Sequence, residues 1–211
     1  GKYSTTLAAP NSDACIECTA GTFQNSSGKT TCKDCLVGTF QENTGQQTCI
    51  ACARGTFQNE TKQTACNATA ANKCASVDGT SCNNGLGATQ QIDCPAGKIC
   101  TAGISTSCPA GQFCVAGQAP QDCAAGSYSS VTGRSVGSQC VKCVAGKFSN
   151  ALGATAEETC QNCPAGEFQD DEGQATCKNT EDNKCASVDG SQCSNATQGA
   201  TAQINCPAGK K

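Results

Sequence analysis

Three stretches of sequence, Cys18-Thr-Ala-Gly-Thr-Phe23, Cys35-Leu-Val-Gly-Thr-Phe40 and Cys52-Ala-Arg-Gly-Thr-Phe57, decide the fold, because they repeat one heading every 17 residues. Each heading runs to a closing cysteine, which is Cys32, Cys49 or Cys66. The same heading recurs at Cys108, Cys123, Cys143 and Cys163. Units this short cannot each bury an apolar face alone, so we expect them to stack along one axis as an elongated tandem array.

The composition explains how such short units could fold. Cysteine accounts for 22 of 211 residues, whereas histidine, methionine and tryptophan are absent. Leu, Ile, Val and Phe together number only 24, well below the ~20% typical of a chain that folds around an apolar core. With a net charge of only -3, a cysteine share above ~8% indicates a disulfide scaffold rather than disorder. The predicted fold is therefore small, disulfide-rich and all-β, built of short β-hairpin modules without a conventional hydrophobic core.

Charge and cysteine content also indicate where the protein acts. The 14 basic and 17 acidic residues are scattered, which leaves no basic stripe for nucleic acid. No apolar run approaches the ~18 residues of a membrane span, so any membrane contact is expected only through an anchor outside this segment. The cysteines require an oxidising compartment, which predicts an extracellular or cell-surface location. Four N-x-Ser/Thr sites favour the same location and predict N-linked glycans, at Asn25, Asn59, Asn67 and Asn195.

A longer repeat overlies the short one, since residues 66–98 match residues 177–210, and the identical stretches Asn72–Gly79 and Asn183–Gly190 within them are offset by 111. The predicted modules are cysteine-rich hairpins at 1–66 and 123–177, Ala-Ser-Val-Asp-Gly loop modules at 67–98 and 178–211, and a Cys-Pro-Ala-Gly insert at 99–122. The first module lacks its opening Cys-Pro-Ala, and Cys206 opens a unit that stops at Lys211. We therefore expect the polypeptide to continue in both directions, or copies to join head to tail.

Five C-x-x-C pairs raise the alternative of zinc, because two such pairs can supply four thiolates. They are Cys15/Cys18, Cys32/Cys35, Cys49/Cys52, Cys140/Cys143 and Cys160/Cys163. Disulfides are favoured, because the pairs stand between repeated units, several cysteines are isolated and histidine is absent. A thioredoxin-like redox role is disfavoured, since no βαβ pattern surrounds a pair. No metal and no cofactor are predicted.

Joining the first cysteine of each unit to its last is the pairing hypothesis. It gives Cys18–Cys32, Cys35–Cys49, Cys52–Cys66, Cys74–Cys82, Cys123–Cys140, Cys143–Cys160, Cys163–Cys177 and Cys185–Cys193. A set of four, for which three connectivities are possible, comprises Cys94, Cys100, Cys108 and Cys114. Cys15 and Cys206 are expected to have partners outside the segment. Linkage within the C-x-x-C pairs is the competing pattern.

The C-x-x-G-[TS]-[FY] headings and C-x-x-C junctions resemble the cysteine-rich modules of tumour-necrosis-factor-receptor and ephrin-receptor type. The run from Cys94 to Cys114, with Cys-Pro-Ala-Gly repeated, resembles the variant of this module found in protist surface proteins. The sequence as a whole is most similar to ciliate immobilisation antigens. The resemblance implies short hairpin modules with first-to-last disulfides in an elongated shape. For ciliate antigens it also implies a dense lipid-anchored coat.

The sequence predicts that the protein is not an enzyme. Without histidine, no Ser-His or Cys-His nucleophile can be assembled, so no catalytic residue is assigned. The cluster Asp170-Asp171-Glu172 is interpreted as a solvated hairpin tip, and the heading aromatics as local packing over the disulfides. The predicted function is an extracellular structural repeat protein that forms a cell-surface coat or a filament, disulfide-stapled and N-glycosylated, with copies of itself as lateral or head-to-tail partners. The alternative is a receptor-like ectodomain that binds a protein ligand.

Overall fold

The protein is an array of small antiparallel hairpins. The computed structural model describes residues 1–5, 15–194 and 199–207. Within these ranges the regular structure consists of eleven two-stranded sheets and two short 3₁₀ turns. Ten disulfides cross-link the hairpins. The predicted all-β, disulfide-rich hairpin array is confirmed.

The chain divides into two compact units, and the first comprises Gly1–Pro95 and Ile99–Thr106. Its hairpins are Lys2–Tyr3 with Ile16–Glu17, Thr22–Phe23 with Lys33–Asp34, Thr39–Phe40 with Ile50–Ala51, Thr56–Phe57 with Asn67–Ala68, and Lys73–Ser76 with Gln90–Asp93. A further hairpin pairs Lys98–Thr101 with Ile104–Ser107, and most of its residues belong to this unit.

The second unit comprises Ala96–Lys98 and Ser107–Lys211. Its hairpins are Gln112–Phe113 with Gln121–Asp122, Ser127–Tyr128 with Val141–Lys142, Lys147–Phe148 with Gln161–Asn162, Glu167–Phe168 with Lys178–Asn179, and Lys184–Ser187 with Ala202–Asn205. The 3₁₀ turns are Gly137–Gln139 and Glu157–Thr159. No helix in the described ranges is long and apolar enough to cross a membrane.

Each two-residue strand follows from the heading sequence. In the heading from Cys35, the Thr39 amide and hydroxyl both donate to the Leu36 carbonyl, closing a tight turn. Gly38 lies in that turn with a φ of 78°, a conformation that glycine adopts without steric cost. The chain then reverses so that Phe40 pairs with Ile50, the residue after the closing cysteine. The hydrogen bonds of Thr39 to Leu36 and the Cys35–Cys49 disulfide thus fix the register of the hairpin.

The interior is made of sulfur, alanine and amide groups rather than branched aliphatic side chains. Among the described residues no Leu, Ile or Val is buried, and the buried apolar residues are cysteines, alanines, Phe57 and Phe168. Phe57 packs against Ala75 and Ala88, at the point where a hairpin module meets the first loop module. The other heading aromatics are only partly buried. The covalent links therefore replace most of the apolar burial that stabilises an ordinary domain.

Candidate functional site

The repeating element of the protein is the disulfide staple of each module. In six modules of the described residues the heading cysteine is bonded to a closing cysteine 14 or 17 residues later. In the two loop modules the bonded cysteines are eight residues apart. The heading cysteine is fully buried, as Cys35 is at 0% exposure, whereas Cys49 is partly exposed. The bonded pairs are Cys18–Cys32, Cys35–Cys49, Cys52–Cys66, Cys74–Cys82, Cys123–Cys140, Cys143–Cys160, Cys163–Cys177 and Cys185–Cys193. These are the partners of the pairing hypothesis.

The four cysteines of open connectivity pair locally. Cys94 is bonded to Cys100 and Cys108 to Cys114, each pair six residues apart. Cys15 is an exposed thiol and Cys206 a partly exposed thiol. The two cysteines of every C-x-x-C pair therefore belong to different modules, and in the structure neither cysteine of a pair is bonded to the other member of that pair.

The disulfide pattern predicts the outcome of a non-reducing tryptic digest. Trypsin cuts after Lys33, inside the Cys32/Cys35 pair, and after Lys29. First-to-last pairing is expected to release peptide 30–33 linked to peptide 3–29, which carries Cys18. Linkage of peptide 30–33 to peptide 34–54, which carries Cys35, would establish the competing C-x-x-C pattern instead. Mass spectrometry of the digest before and after reduction is the measurement.

A buried glutamine spans the long loop of each 14-residue module. Gln41 is 3% exposed, and its Nε2 donates to the Thr48 carbonyl at 2.8 Å while its Oε1 accepts from the Asn43 amide at 3.1 Å. The side chain therefore joins both arms of the loop just before the closing Cys49. The same two bonds are made by Gln24, Gln58 and Gln169.

Replacing Gln41 by alanine is expected to destabilise its module by about 1–3 kcal/mol, because a backbone N–H and a carbonyl lose their partners in a part-buried loop. Gln47→Ala in the same loop is the matched control, since Gln47 is exposed and surface substitutions change stability by about 0.5 kcal/mol or less. Amide hydrogen exchange of the 42–48 loop, with disulfides intact, measures both. Equal protection in the two variants would show that the glutamine does not hold the loop.

The 17-residue modules replace the glutamine by serine. Ser129 and Ser149 are buried at the corresponding position, and the Ser129 hydroxyl donates to the Val131 carbonyl at 3.0 Å. A serine side chain is too short to reach across the loop. In these modules a 3₁₀ turn, Gly137–Gln139 or Glu157–Thr159, leads into the closing cysteine instead.

Three backbone hydrogen bonds that recur between successive modules form what we call the module joint. From the module of Cys35, the Cys35 carbonyl accepts from the Lys62 amide at 2.8 Å, and the Gly38 amide donates to the Gln58 carbonyl at 2.7 Å. The Gln41 amide completes the set by donating to Gln63. The same three bonds lead from the modules that begin at Cys18, Cys123 and Cys143. Because only backbone groups take part, the joint repeats while the loop side chains vary.

In the headings from Cys35, Cys108 and Cys123, the glycine also lies close to the module two places further along. A Cβ placed on Gly38 would lie 2.5 Å from the Gly87 carbonyl oxygen, which is closer than real Cβ atoms approach backbone. Equivalent approaches of 2.1 and 2.2 Å occur at Gly126 and Gly111. Close backbone packing, in addition to the positive φ, therefore requires glycine in the heading.

The Ala-Ser-Val-Asp-Gly loops are closed by an aspartate that caps its own turn. The Asp78 carboxylate accepts from the amides of Thr80 and Ser81, at 2.8 and 3.0 Å, and the Ser76 hydroxyl accepts from the Gly79 amide. Asp189 makes the equivalent bond to the Ser191 amide at 2.8 Å. These hydrogen bonds hold the pKa of the Asp78 carboxyl well below its ordinary value. Each loop is therefore a self-capped turn.

The same capping predicts a low titration midpoint in the second loop. Hydrogen bonds from the Ser191 amide and hydroxyl lower the pKa of Asp189 to about 2, against about 3.9 for an unfolded aspartate. A lowered folded pKa means that the capping contribution is complete above about pH 4 and disappears as the pH falls through about 2. An NMR titration of the Asp189 carboxyl carbon should give these midpoints in folded and urea-unfolded protein. A folded midpoint near 3.9 would exclude the cap.

The predicted glycosylation sites fall on exposed positions where the structure describes them. Asn25 and Asn59 follow the clamping glutamines Gln24 and Gln58, and both are exposed, as is Asn67, the residue after the closing Cys66. Asn195 lies outside the described residues. Glycosylation at all four stays a prediction.

The acidic cluster at 170–172 is engaged by a lysine. The Lys178 ammonium contacts the carboxylates of Asp170 and Asp171. The hydrogen bond from Lys178 lowers the pKa of Asp170, and the same contacts raise the pKa of Lys178. These groups are solvent-exposed, and exposed ion pairs contribute little to stability. The three acidic residues are exposed at a hairpin tip, where Lys178 pairs with two of them.

The first modules of the chain match one known protein family. Residues 1–45 match the family model described as tyrosine-protein kinase ephrin type A/B receptor-like. No curated protein matches the chain. The match and the ten disulfides support a cysteine-rich, receptor-like repeat protein and fit an extracellular, disulfide-stapled chain. The matched domain is not a catalytic one.

Proposed function

We propose that the chain is an extracellular structural repeat protein that forms a cell-surface coat or a filament, N-glycosylated and associated with copies of itself. The observation that carries the proposal is the exposure of its aliphatic side chains. Of the 17 Leu, Ile and Val residues that the structure describes, twelve are exposed, namely Ile16, Leu36, Val37, Ile50, Val77, Leu86, Val131, Val136, Val141, Val144, Leu152 and Val188. These side chains do not build the interior, so contact between copies would remove them from water. Burial of apolar surface stabilises an association by about 25 cal/mol per Å².

The module joint supports the same function. A backbone-only joint gives a regular scaffold whose loops can vary in sequence. Asn25 and Asn59 sit at the same place in two modules, directly after the clamping glutamine, so glycans there would recur at a fixed position of the module. Such periodic surfaces suit lateral or head-to-tail packing of identical chains.

The Cys-Pro-Ala-Gly repeats also support a coat function, through a resemblance to known surface proteins. The sequence resembles ciliate immobilisation antigens, for which the resemblance implies a dense, lipid-anchored coat. The analogy is one of module type, and the exposed aliphatic residues support self-association independently of it.

Self-association of the oxidised, glycosylated chain tests the function. We expect ordered arrays or fibres of uniform axial repeat in negative-stain electron microscopy, and concentration-dependent assembly in sedimentation velocity. Leu36, 68% exposed, is replaced by aspartate, and this variant should raise the concentration for assembly about tenfold. Thr64→Asp adds the same charge at another exposed position and should leave assembly unchanged. A chain that stays monomeric at all concentrations contradicts the proposal.

A receptor-like ectodomain is the second candidate, favoured by the family match over residues 1–45. Under this alternative the isolated chain is a monomer that captures a protein ligand from extracellular fluid. Capture that survives Leu36→Asp, together with an absence of assembly, would favour the receptor function.

A further inference from the structure

One asparagine of the first loop module, Asn84, is followed by a glycine, and no other asparagine of the sequence is. Deamidation of an asparagine begins when the backbone nitrogen of the next residue attacks the side-chain carbonyl carbon. Glycine hinders this attack least, because it has no Cβ and a wide choice of backbone conformations. Asn84-Gly85 is therefore the asparagine step of this chain that is chemically most prone to deamidation.

The fold binds the side chain that would react. Asn84 Nδ2 donates to the Ser105 carbonyl at 3.0 Å, and Asn84 Oδ1 accepts from the Ser105 amide at 3.0 Å. Ser105 lies in the hairpin of Lys98–Thr101 and Ile104–Ser107, which we call the insert hairpin. Asn84 and Ser105 both belong to the first compact unit. One side-chain amide thus satisfies both backbone groups of a hairpin residue and attaches the insert hairpin to the loop module.

The attacking nitrogen is held as well. The Gly85 amide donates to Asn83 Oδ1 at 2.9 Å, so its N–H points to Asn83 rather than to the side chain of Asn84. The Asn84 carbonyl accepts from Arg54 Nε, and Asn84 is partly buried. Attack on Asn84 Cγ requires these hydrogen bonds to break, which is a local opening of the structure. The attached insert hairpin therefore protects Asn84.

We propose that Asn84 is a deamidation site whose reaction is controlled by the insert hairpin. When the hairpin separates from the loop module, the Gly85 nitrogen loses its proton to solvent and bonds to Asn84 Cγ. The Cγ–Nδ2 bond breaks, and the leaving nitrogen takes up a proton and departs as ammonia. Water then hydrolyses the cyclic imide at either carbonyl, which gives aspartate or isoaspartate. One water is consumed and one ammonia released, so the reaction needs no oxidant or reductant.

The product does not restore the original contact. Aspartate and isoaspartate both carry a carboxylate, which has no N–H for the Ser105 carbonyl and repels that oxygen. Isoaspartate also adds a methylene group to the backbone, which displaces the remaining acceptor. Opening of the insert hairpin is thereby converted into a permanent chemical change. This inference goes beyond the proposed coat function and is independent of it.

The rate of deamidation in the folded chain tests the proposal. Oxidised protein and reduced, alkylated protein are incubated in mildly alkaline buffer and sampled over time, and a zero-time sample gives the background. After reduction and digestion under mildly acidic conditions, trypsin releases peptide 74–98, in which tandem mass spectrometry locates the acid. We expect Asn84 to react at least about tenfold faster in the reduced chain, where local protection is lost. Asn83, followed by asparagine, should stay near background in both samples.

Two variants of Ser105 separate the hairpin contact from general unfolding. Ser105→Pro removes the N–H that Asn84 accepts, and loss of one of two hydrogen bonds should speed deamidation in the oxidised chain about three- to tenfold. Ser105→Ala keeps both backbone groups and should react at the wild-type rate. A wild-type rate in Ser105→Pro, or equal rates for Asn84 in the oxidised and reduced wild-type chains, would overturn the proposal.

The reaction product gives a second test, which holds if Ser105→Pro fails to fold. Asn84→Asp should increase amide hydrogen exchange of residues 104–107 about tenfold, because the Ser105 carbonyl loses its donor. Asn83→Asp adds the same charge one residue away and should leave that protection unchanged, since its carboxylate still accepts from the Gly85 amide. Equal protection of residues 104–107 in the two variants would show that deamidation does not release the insert hairpin.

Discussion

Gly38→Ala is expected to destabilise the first unit by about 2–5 kcal/mol. Gly38 has a φ of 78°, and an L-residue in the left-handed region costs roughly 1–2 kcal/mol. The new Cβ would also lie 2.5 Å from the Gly87 carbonyl oxygen, so the backbone of a module two places away must move. Forced displacement of well-packed atoms typically costs about 1–3 kcal/mol more.

Gly87→Ala separates the two costs, because Gly87 is the other end of the same contact. Its φ is 74°, yet a Cβ there would have its nearest neighbours at 3.8 and 3.9 Å, ordinary van der Waals distances. We expect this variant to lose only the roughly 1–2 kcal/mol of conformational cost. Urea unfolding of both variants with disulfides intact, followed by far-UV circular dichroism, measures the difference. Equal losses would show that the close approach of alternate modules is not required for stability.

Much of the module could be predicted from the sequence, because cysteine spacing and turn residues act locally. The headings at Cys18, Cys35 and Cys52 define where each hairpin begins, and glycine before Thr-Phe predicts the bend. Pairing of the first cysteine with the last follows the same order in the structure.

The glutamine clamp could not be predicted, because polarity alone suggests that a glutamine after an aromatic residue faces water. Gln41 is buried because its amide satisfies two backbone groups of its own loop, and that geometry depends on how the loop folds back. The only signal was the recurrence of Phe-Gln in the 14-residue modules, at Phe23, Phe40, Phe57 and Phe168.

Contacts between alternate modules could not be predicted from the sequence either. Gly38 and Gly87 are 49 positions apart, and their approach is set by the way successive joints stack. The aromatics illustrate the same limit: Phe57 is buried against Ala75 and Ala88 of a neighbouring module, whereas Phe40 stays partly exposed in its own. The spacing of the cysteines does not show which heading aromatic will be buried by a neighbouring module.

Complete reduction is expected to unfold the protein in native buffer. The described interior contains no buried Leu, Ile or Val, so little apolar burial remains once the sulfur links are cut. A disulfide that closes a loop of about 15 residues contributes roughly 3 kcal/mol, and six of the ten links close loops of 14 or 17 residues. Loss of a few such links equals the whole stability of a typical domain, about 5–15 kcal/mol.

The most direct measurement is an NMR spectrum of the chain before and after reduction in native buffer, with the thiols then blocked by iodoacetamide. The disulfide-stapled array predicts dispersed amide signals in the oxidised protein and a collapsed, random-coil spectrum in the reduced one. A reduced and blocked chain that keeps its dispersed signals and its amide protection would contradict the account, because some interaction other than the disulfides would then hold the modules together.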